Sequence, residues 1–406
     1  MGTFFAILAG LLILTILVVI HELGHAIVAR RNGVTVEEFG VGFPPRAKAW
    51  KKKKSFLGKN VEYSVNWLPI GGFVKLQGEH DEDGGKEGDF GRASFWAKTK
   101  IMFAGVAINW LAAIVLLTIL SLFGIPQLVE NQYYVESDAV ITSSPAIVGS
   151  VIEGLPADEA GLQEGDVIDG IQLEVACPVA VGVECDVPSA STTSEIITLT
   201  KENPGETFLV QYSRDGEEKS AMLHNRTADE AKDGKGYIGV SFESTSPTVV
   251  RSTWSAPIVG VGLTAQLSWE TFKGIGGMAG NFFGGLFEKL NPDEAAQQQA
   301  NEKIAAAGEN VAGPVGLIGV ILPNLIQAGP TYIVMITAVI SLSLAVLNSL
   351  PIPGLDGGRW ALIAVYRALR RPLTKEREEQ IVGYGMLFLL GLFVLITVAD
   401  IGKFFN

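Results

Sequence analysis

Cysteine, histidine and charged residues are all scarce in this sequence of 406 residues. It has two cysteines and four histidines, and charged side chains make up 18% of it, against about 25% in typical soluble domains. The low charge, the hydrophobic content of 48% and the positive mean hydropathy exclude an ordinary soluble protein of this size. The net charge of −12 gives no support to nucleic-acid binding. A membrane protein with a soluble part is the class that remains.

The two cysteines, Cys177 and Cys185, lie close together in the segment CPVAVGVEC. No histidine or third cysteine is near them in the sequence, so this pair is a poor zinc site. Two alternatives stay open for it. One is a disulfide that closes a small loop, which an extracytoplasmic location would permit, and the other is a pair of free thiols.

Four nearly uncharged stretches have about the length that crosses a membrane. The first contains FFAILAGLLILTILVVI, residues 4–20. It could also be a signal peptide, but no basic residue precedes it and no small-residue cleavage site follows, so we predict that it stays as a helix. The predicted spans cover about residues 3–29, 97–125, 328–352 and 380–400.

Basic residues between the spans predict the orientation of the chain. Residues 30–59 contain nine basic residues against two acidic ones, and a second basic cluster lies in residues 359–377. By the positive-inside rule both connections are cytoplasmic, so both termini and the long middle section lie outside. The run KKKK at 51–54 could instead be a solvated charge run or one attracted to anionic lipid, and both alternatives leave it on the inner face.

The middle section, residues 130–245, reads as short β runs broken by Gly, Pro and Asp turns. Its segment SVIEGLPADEAGLQEGDVIDGIQ, residues 150–172, resembles a PDZ domain, a class that binds extended peptides by strand addition. The alternative is a spacer or a steric filter against bulky substrates. Within residues 250–327, which follow, the stretch 256–290 is apolar and Gly-rich but is interrupted by Glu270 and Lys273, and 292–310 reads as a polar surface helix. We predict that residues 250–327 form amphipathic segments on the outer membrane surface.

The stretch LVVIHELGHAIVAR, residues 17–30, contains two histidines four positions apart. On a helix, His21 and His25 are separated by about 400° and share one face, which allows both to bind one metal ion. Glu22 projects in a neighbouring direction, where it could hydrogen-bond a metal-bound water. The alternative is a histidine pair satisfied by polar neighbours. The membrane location disfavours that alternative, because ionisable groups in a span usually mark function.

A catalytic zinc ion takes three protein ligands and leaves a fourth position open. His80 lies in an acidic, Gly-rich loop and His224 lies in the domain predicted on the opposite side of the membrane, so both are poor candidates. The segment LNSLPIPGLDGGR, residues 347–359, ends a predicted span at two prolines and presents Asp356 on the same side as the histidine pair. Asp356 could alternatively cap a helix.

Taken together, these motifs strongly resemble the site-2 protease family of intramembrane zinc metalloproteases, in its RseP-like bacterial branch with one PDZ domain. The resemblance covers essentially the whole chain. It is carried by HELGH (21–25), WLPIGGFVKLQGE (67–79), Asn109 in the second span, GPVGLIG (313–319) and NSLPIPGLDGG (348–358). One departure is GVAIN at 105–109, where relatives often have a Gly-Pro pair, and this leaves the role of Asn109 open.

The resemblance implies one zinc ion per chain, with His21, His25 and Asp356 as its ligands and Glu22 as the general base. It implies that Asn348 is a polar group that helps to hold substrate. It also implies a membrane-associated β-hairpin at about residues 57–80, which pairs with an unwound substrate. We assign that pairing to Gly71, Gly72 and Phe73, and an ordinary cytoplasmic hairpin is the alternative.

The predicted fold class is therefore a polytopic α-helical membrane protein with about four spans, a membrane-associated β-hairpin and an inserted extracytoplasmic β-rich PDZ-like domain. The predicted units are a membrane half (1–125), the PDZ-like domain (130–245), the surface segments (250–327) and a second membrane half (328–406).

The predicted function is hydrolysis of peptide bonds within transmembrane segments, in the cell membrane and toward the cytoplasmic leaflet. The predicted partners are the lipid bilayer and single-span proteins already cut by another protease, such as anti-sigma factors or leftover signal peptides. The alternative is a catalytically inactive scaffold that binds protein tails through its PDZ-like domain. An intact Glu22 beside the histidines disfavours the scaffold, which has no use for that carboxylate.

Overall fold

The structure, a computed structural model, describes residues 2–80, 85–129, 131–142, 146–174, 189–233, 235–243, 248–289, 293, 297–301, 303 and 329–405. The chain divides into two compact units: residues 1–125, 131–138 and 252–406 form the membrane unit, and residues 126–130 and 139–251 form the β unit. Cys177, Cys185 and the GPVGLIG motif lie outside the described residues.

The helices, numbered along the chain, are α1 (Gly2–Arg31), α2 (Phe95–Phe123), α3 (Pro156–Glu159), α4 (Thr193–Glu202), α5 (Ala256–Glu288), α6 (Pro330–Ser349), α7 (Asp356–Ala368) and α8 (Lys375–Phe405). A 3₁₀ turn covers Glu230–Asp233. Among the described residues, four helices are long and apolar enough to cross a membrane: 7–31 in α1, 95–123 in α2, 330–349 in α6 and 375–398 in α8. Their number agrees with the four spans that the sequence predicts.

The strands are β1 (Val36–Ser55), β2 (Gly58–Leu76), β3 (Ile125–Pro126), β4 (Val140–Thr142), β5 (Ala146–Val151), β6 (Val167–Leu173), β7 (Ser189–Ala190), β8 (Thr207–Arg214), β9 (Glu217–His224), β10 (Val240–Phe242) and β11 (Val249–Arg251). In the β unit, one sheet has the order β10-β5-β6-β8-β9, with β7 paired to β6. Its core includes Ile168, Ile171, Phe208 and Val210. The β-rich composition agrees with the sequence, and the PDZ likeness remains a prediction.

The hairpin β1–β2 is longer than the predicted 57–80, because it begins at Val36. Both strands bend. Pro44 and Pro45 interrupt β1, and Gly71 adopts a φ of 78° in β2, a left-handed conformation that glycine adopts without steric cost.

As a result of these bends, residues 36–41 pair on one side with 72–76, and residues 38–41 pair on the other side with 62–65. Segment 72–76 is therefore at an edge of the sheet, and no strand pairs with its outer side among the described residues. We call segment 71–76 the inner edge strand.

The inner edge strand and the residues before it run alongside α1. The Thr15 hydroxyl donates a hydrogen bond to the Pro69 carbonyl (2.6 Å), and a β-carbon on Gly72 would lie 3.2 Å from the Val19 side chain. One turn further along α1, the Val74 N–H donates to Glu22 Oε2 (3.0 Å). The free edge of the hairpin therefore lies against the helix that carries the histidine motif.

Helix α2 lies between α1 and α6. At the contact with α1, a β-carbon on Gly24 would lie 2.7 Å from the Ala104 carbonyl oxygen, so glycine permits the close approach of the two helices. At the contact with α6, the Ser341 hydroxyl donates to the Asn109 carbonyl (2.9 Å). Helix α5 also packs on α2, where Gly260 faces Thr118. That α5 lies on the membrane surface remains a prediction.

Candidate metal centre

The histidine motif lies in the last third of α1. His21 and His25 are separated by one helical turn, and their rings meet edge to face with centroids 4.8 Å apart. Both side chains are buried, with 8% and 9% of their surface exposed. The spacing in the sequence thus produces the shared face that it predicts.

Asp356 is the first residue of α7 and follows the loop of Pro351 and Pro353. The loop folds back tightly on the start of α7. A β-carbon on Gly357 would lie 2.4 Å from the Ser349 carbonyl oxygen, and one on Gly358 would lie 1.9 Å from the Ile352 carbonyl oxygen. The two glycines are therefore required for this close contact, which turns the Asp356 carboxylate toward α1.

Three donor atoms meet where these elements converge. His21 Nε2 lies 2.9 Å and His25 Nε2 lies 3.2 Å from Asp356 Oδ2, and the two nitrogens are 3.1 Å apart. Zinc holds nitrogen and oxygen ligands at about 2.0–2.2 Å, so two ligand atoms in tetrahedral directions lie about 3.3 Å apart. The observed triangle is slightly tighter than that spacing, and its donor set of two imidazoles and one carboxylate suits zinc.

Gly105 of α2 faces this triangle. A β-carbon at position 105 would lie 2.5 Å from His25 Nε2 and 2.6 Å from His21 Nε2. The β-carbon of any larger residue would therefore press against both Nε2 atoms, next to the place where they would bind an ion. The sequence reasoning missed this residue, although it lies four positions before Asn109 in the stretch GVAIN.

Glu22 is outside the triangle and accepts a hydrogen bond from the inner edge strand, at the Val74 N–H. A second carboxylate, that of Glu79, accepts from the Leu76 N–H on the same strand (3.1 Å). Two outward-facing backbone donors of this edge are thus occupied by carboxylates. A carboxylate holds such a donor through a charge-assisted hydrogen bond.

The structure places the other predicted site residues as follows. Gly71 and Gly72 are buried, and Phe73 is half-buried over Gly40 in the hairpin. Asn348 is half-buried near the end of α6 and donates its amide to the Leu344 carbonyl (3.0 Å). Neither His80 nor His224 joins the triangle.

A polar cavity of about 310 Å³ opens beside Asp356. In its wall, His80 Nε2 lies 3.3 Å from Glu379 Oε1. Arg359, also in the wall, pairs with the buried Glu378 (3.0 Å). The cavity therefore brings charged side chains from the first turns of α8 and from the residues after β2 close to the Asp356 carboxylate.

An HExxH motif on one apolar helix, met by an aspartate that follows another apolar helix, is the arrangement expected of a membrane metallopeptidase. Comparison with known proteins agrees. The sequence matches Peptidase family M50 over residues 9–392, and the chain belongs to this family, so the predicted site-2 protease membership is confirmed.

Several relatives align over nearly the whole chain. A putative zinc metalloprotease of Nostoc sp. is 27% identical over 402 residues, 97% of this chain and 95% of that protein. The regulator of sigma-W protease RasP of Bacillus subtilis is 24% identical, covering 98% of this chain and 99% of that protein. The chloroplastic membrane metalloprotease ARASP of Arabidopsis thaliana is 29% identical, covering 98% and 79%. The chain is therefore a multi-pass membrane zinc metalloprotease, and the inactive scaffold is disfavoured.

Proposed function

We propose that this metalloprotease hydrolyses peptide bonds inside the transmembrane segments of single-span membrane proteins. The observation that carries the proposal is that His21 and His25, on a helix apolar enough to cross a membrane, meet Asp356. A hydrolytic site at this position has access to the peptide bonds of an adjacent apolar helix. An ordinary soluble protease does not reach those bonds.

The proposed roles follow from the geometry. His21, His25 and Asp356 would hold one zinc ion, which when bound makes a water acidic enough to lose a proton near neutral pH and polarises the scissile carbonyl. Glu22 takes the proton from the attacking water and delivers it to the leaving amine. Its position one residue after His21, on a neighbouring side of the helix, keeps it from being a ligand itself.

The inner edge strand is proposed to hold the substrate in an extended form. A helix in lipid must lose hydrogen bonds before its peptide bonds can be attacked, and each unpaired backbone group costs several kcal/mol there. The outward face at Gly71, Gly72 and Phe73 offers backbone groups that an added strand could pair with. Because the next residue, Val74, contacts Glu22, the paired segment would lie next to the general base.

Water is proposed to enter from the cytoplasmic side, through the polar cavity beside Asp356. The basic residues of β1 and of the α7–α8 connection support that orientation, since basic loops remain in the cytoplasm. The β unit and both termini then lie outside. We propose that the β unit is PDZ-like and binds or filters substrate tails.

The proposed substrates are membrane-bound regulators such as anti-sigma factors already shortened by another protease, or leftover signal peptides. The naming of the Bacillus relative as a regulator of a sigma factor supports the first class. Asn348, near the end of α6, is proposed to contact the bound segment. Comparing membranes from cells with and without the active protein by mass spectrometry would identify the natural substrate.

The decisive experiment uses the purified full-length protein in lipid vesicles with a single-span substrate. We expect cleavage inside the apolar segment, with the position given by mass spectrometry of the products. Asp356→Asn should show no such product. Cuts confined to the soluble flanks of the substrate, or equal cutting by Asp356→Asn, would contradict the proposal.

Val74→Pro tests the role of the inner edge strand. Proline removes the one N–H that faces outward to Glu22, and proline is tolerated where an edge N–H points away from the sheet. We expect cleavage to fall at least about tenfold, the effect of losing a hydrogen bond worth about 1.4 kcal/mol between the strand and Glu22, while bound zinc stays at one equivalent. Val74→Ala keeps the N–H and is the matched control, expected to cleave at nearly the original rate. Equal rates for the proline and alanine variants would rule out a role of this edge N–H in the reaction.

A further inference from the structure

Helix α2 presents three positions to the two histidines. Ile101, Gly105 and Asn109 are spaced four residues apart and so lie on one face of the helix. The Ile101 carbonyl oxygen lies 2.7 Å from His25 Nδ1, and the Asn109 amide lies 3.2 Å from His21 Nδ1. Gly105, between them, leaves room for both Nε2 atoms. Each imidazole therefore has its Nδ1 against α2 and its Nε2 toward Asp356.

A metal-binding nitrogen must be unprotonated, and in a neutral imidazole the proton then lies on the other nitrogen. If Nε2 binds the ion, Nδ1 carries the proton and requires a hydrogen-bond acceptor. For His25 that acceptor is the Ile101 carbonyl, which has no proton of its own to donate. The contact therefore fixes the tautomer that leaves His25 Nε2 free to bind.

His21 needs the same kind of partner, and the Asn109 side chain is placed to supply it. Asn109 is fully buried, and its Oδ1 has no hydrogen-bond partner among the residues that the structure describes. The amide nitrogen is the atom 3.2 Å from His21 Nδ1. Rotating the carboxamide by half a turn exchanges its oxygen and nitrogen, and the side chain then occupies nearly the same volume. It would bring Oδ1 to the place where it accepts the Nδ1 proton.

Asn109 also contacts α6, through its backbone carbonyl. Its backbone belongs to α2, and its carbonyl oxygen accepts a hydrogen bond from the Ser341 hydroxyl of α6. Ser341 itself is fully buried. Because α6 leads into the loop that presents Asp356, one residue of α2 contacts both the first histidine and the helix that precedes the aspartate.

We propose that Asn109 is a positioning residue for the metal centre: its side-chain oxygen accepts the Nδ1 proton of His21 and so keeps Nε2 free for zinc. The Ile101 carbonyl does the same for His25. This inference rests on the proposed ligand set of His21, His25 and Asp356. It gives Asn109 a role even though GVAIN lacks the Gly-Pro pair that relatives often have there.

The test compares zinc affinity, measured by chelator competition on the purified protein in detergent. Asn109→Leu has a similar volume and no acceptor, and we expect its zinc affinity to fall about 10–100-fold, the usual effect of losing the partner of a metal-bound histidine. Asn109→Asp keeps an acceptor and should remain within about threefold of the original affinity. If Asn109→Leu does not accumulate, Asn109→Ala takes its place in the comparison.

Two further variants separate the possible explanations. Ser341→Ala removes the hydrogen bond to the Asn109 carbonyl but keeps the carboxamide, so it should lower thermal stability and leave zinc affinity nearly unchanged. Asp356→Ala removes a proposed ligand. If it retains full zinc affinity, the ligand set of the proposed function is wrong. Two other results would overturn only the positioning role of Asn109. One is that Asp356→Ala loses zinc while Asn109→Leu keeps it. The other is that Asn109→Asp loses as much zinc affinity as Asn109→Leu.

Discussion

Glu22→Gln is expected to stop peptide-bond cleavage and to leave zinc bound. The amide keeps the size of the side chain and an oxygen that can accept the Val74 N–H, which now lies 3.0 Å from Glu22 Oε2. It cannot accept a proton from water. General acid-base catalysis contributes about 10²–10⁴-fold to rates, so cleavage of a transmembrane substrate should fall by at least about 100-fold. Zinc should remain at one equivalent, because Glu22 is not one of the three converging donors.

Glu79→Gln is the matched control for this variant. Glu79 also accepts a backbone N–H from the inner edge strand, that of Leu76, but it is not adjacent to the histidines in sequence. We expect Glu79→Gln to cleave at nearly the original rate. Undiminished cleavage by Glu22→Gln would remove Glu22 as the general base, and an equal loss in both variants would show that strand contacts, rather than proton transfer, limit the reaction.

The sequence predicted the triangle of donors from two independent patterns. Helical periodicity places His21 and His25 on one face, and the distribution of basic residues places Asp356 at the same end of the spans. Both patterns depend on local properties, the helical repeat and the charge of the loops. The structure brings the three side chains together, and their roles as ligands remain a proposal.

The hairpin was less predictable because its first strand lacks the usual signals. VEEFGVGFPPRAKAWKKKKS, residues 36–55, contains two prolines and a run of lysines instead of the alternation typical of a strand. The bends at Pro45 and Gly71 allow residues 36–41 to pair with two different parts of β2. That pairing is a tertiary property, and the position of the inner edge strand beside Glu22 follows from it.

The close contacts of three glycines near the metal centre could not be predicted for a related reason. In the sequence, Gly357 and Gly358 indicate a relaxed backbone that lets the Asp356 carboxylate turn, and Gly105 has no evident function. In the structure all three are positions where another chain segment approaches too closely for a side chain. A sequence does not reveal which segment lies opposite a glycine, so this use of glycine is visible only when the helices are packed together.

Gly105→Ala is expected to lose zinc and, with it, all cleavage. The added β-carbon would lie 2.5 Å from His25 Nε2 and 2.6 Å from His21 Nε2, well inside ordinary van der Waals contact. The methyl group would therefore push both donor nitrogens out of the triangle or occupy the space of the ion. Loss of a histidine's outer partner costs about 10–100-fold in metal affinity, and direct displacement should cost at least the upper value. Chelator competition on the purified protein measures the change.

Gly260→Ala tests whether the effect comes from the metal centre or from general damage to helix packing. Its β-carbon would lie 2.8 Å from the Ile114 carbonyl oxygen, so it crowds α2 from the α5 side, away from the histidines. We expect Gly260→Ala to lower the melting temperature and to keep one equivalent of zinc. If Gly105→Ala retains zinc, or if both variants lose zinc equally, the explanation by direct contact between the added methyl group and the histidine nitrogens is wrong. Zinc loss confined to Gly105→Ala, with cleavage absent, would show that the missing side chain on α2 makes room for the ion between His21 and His25.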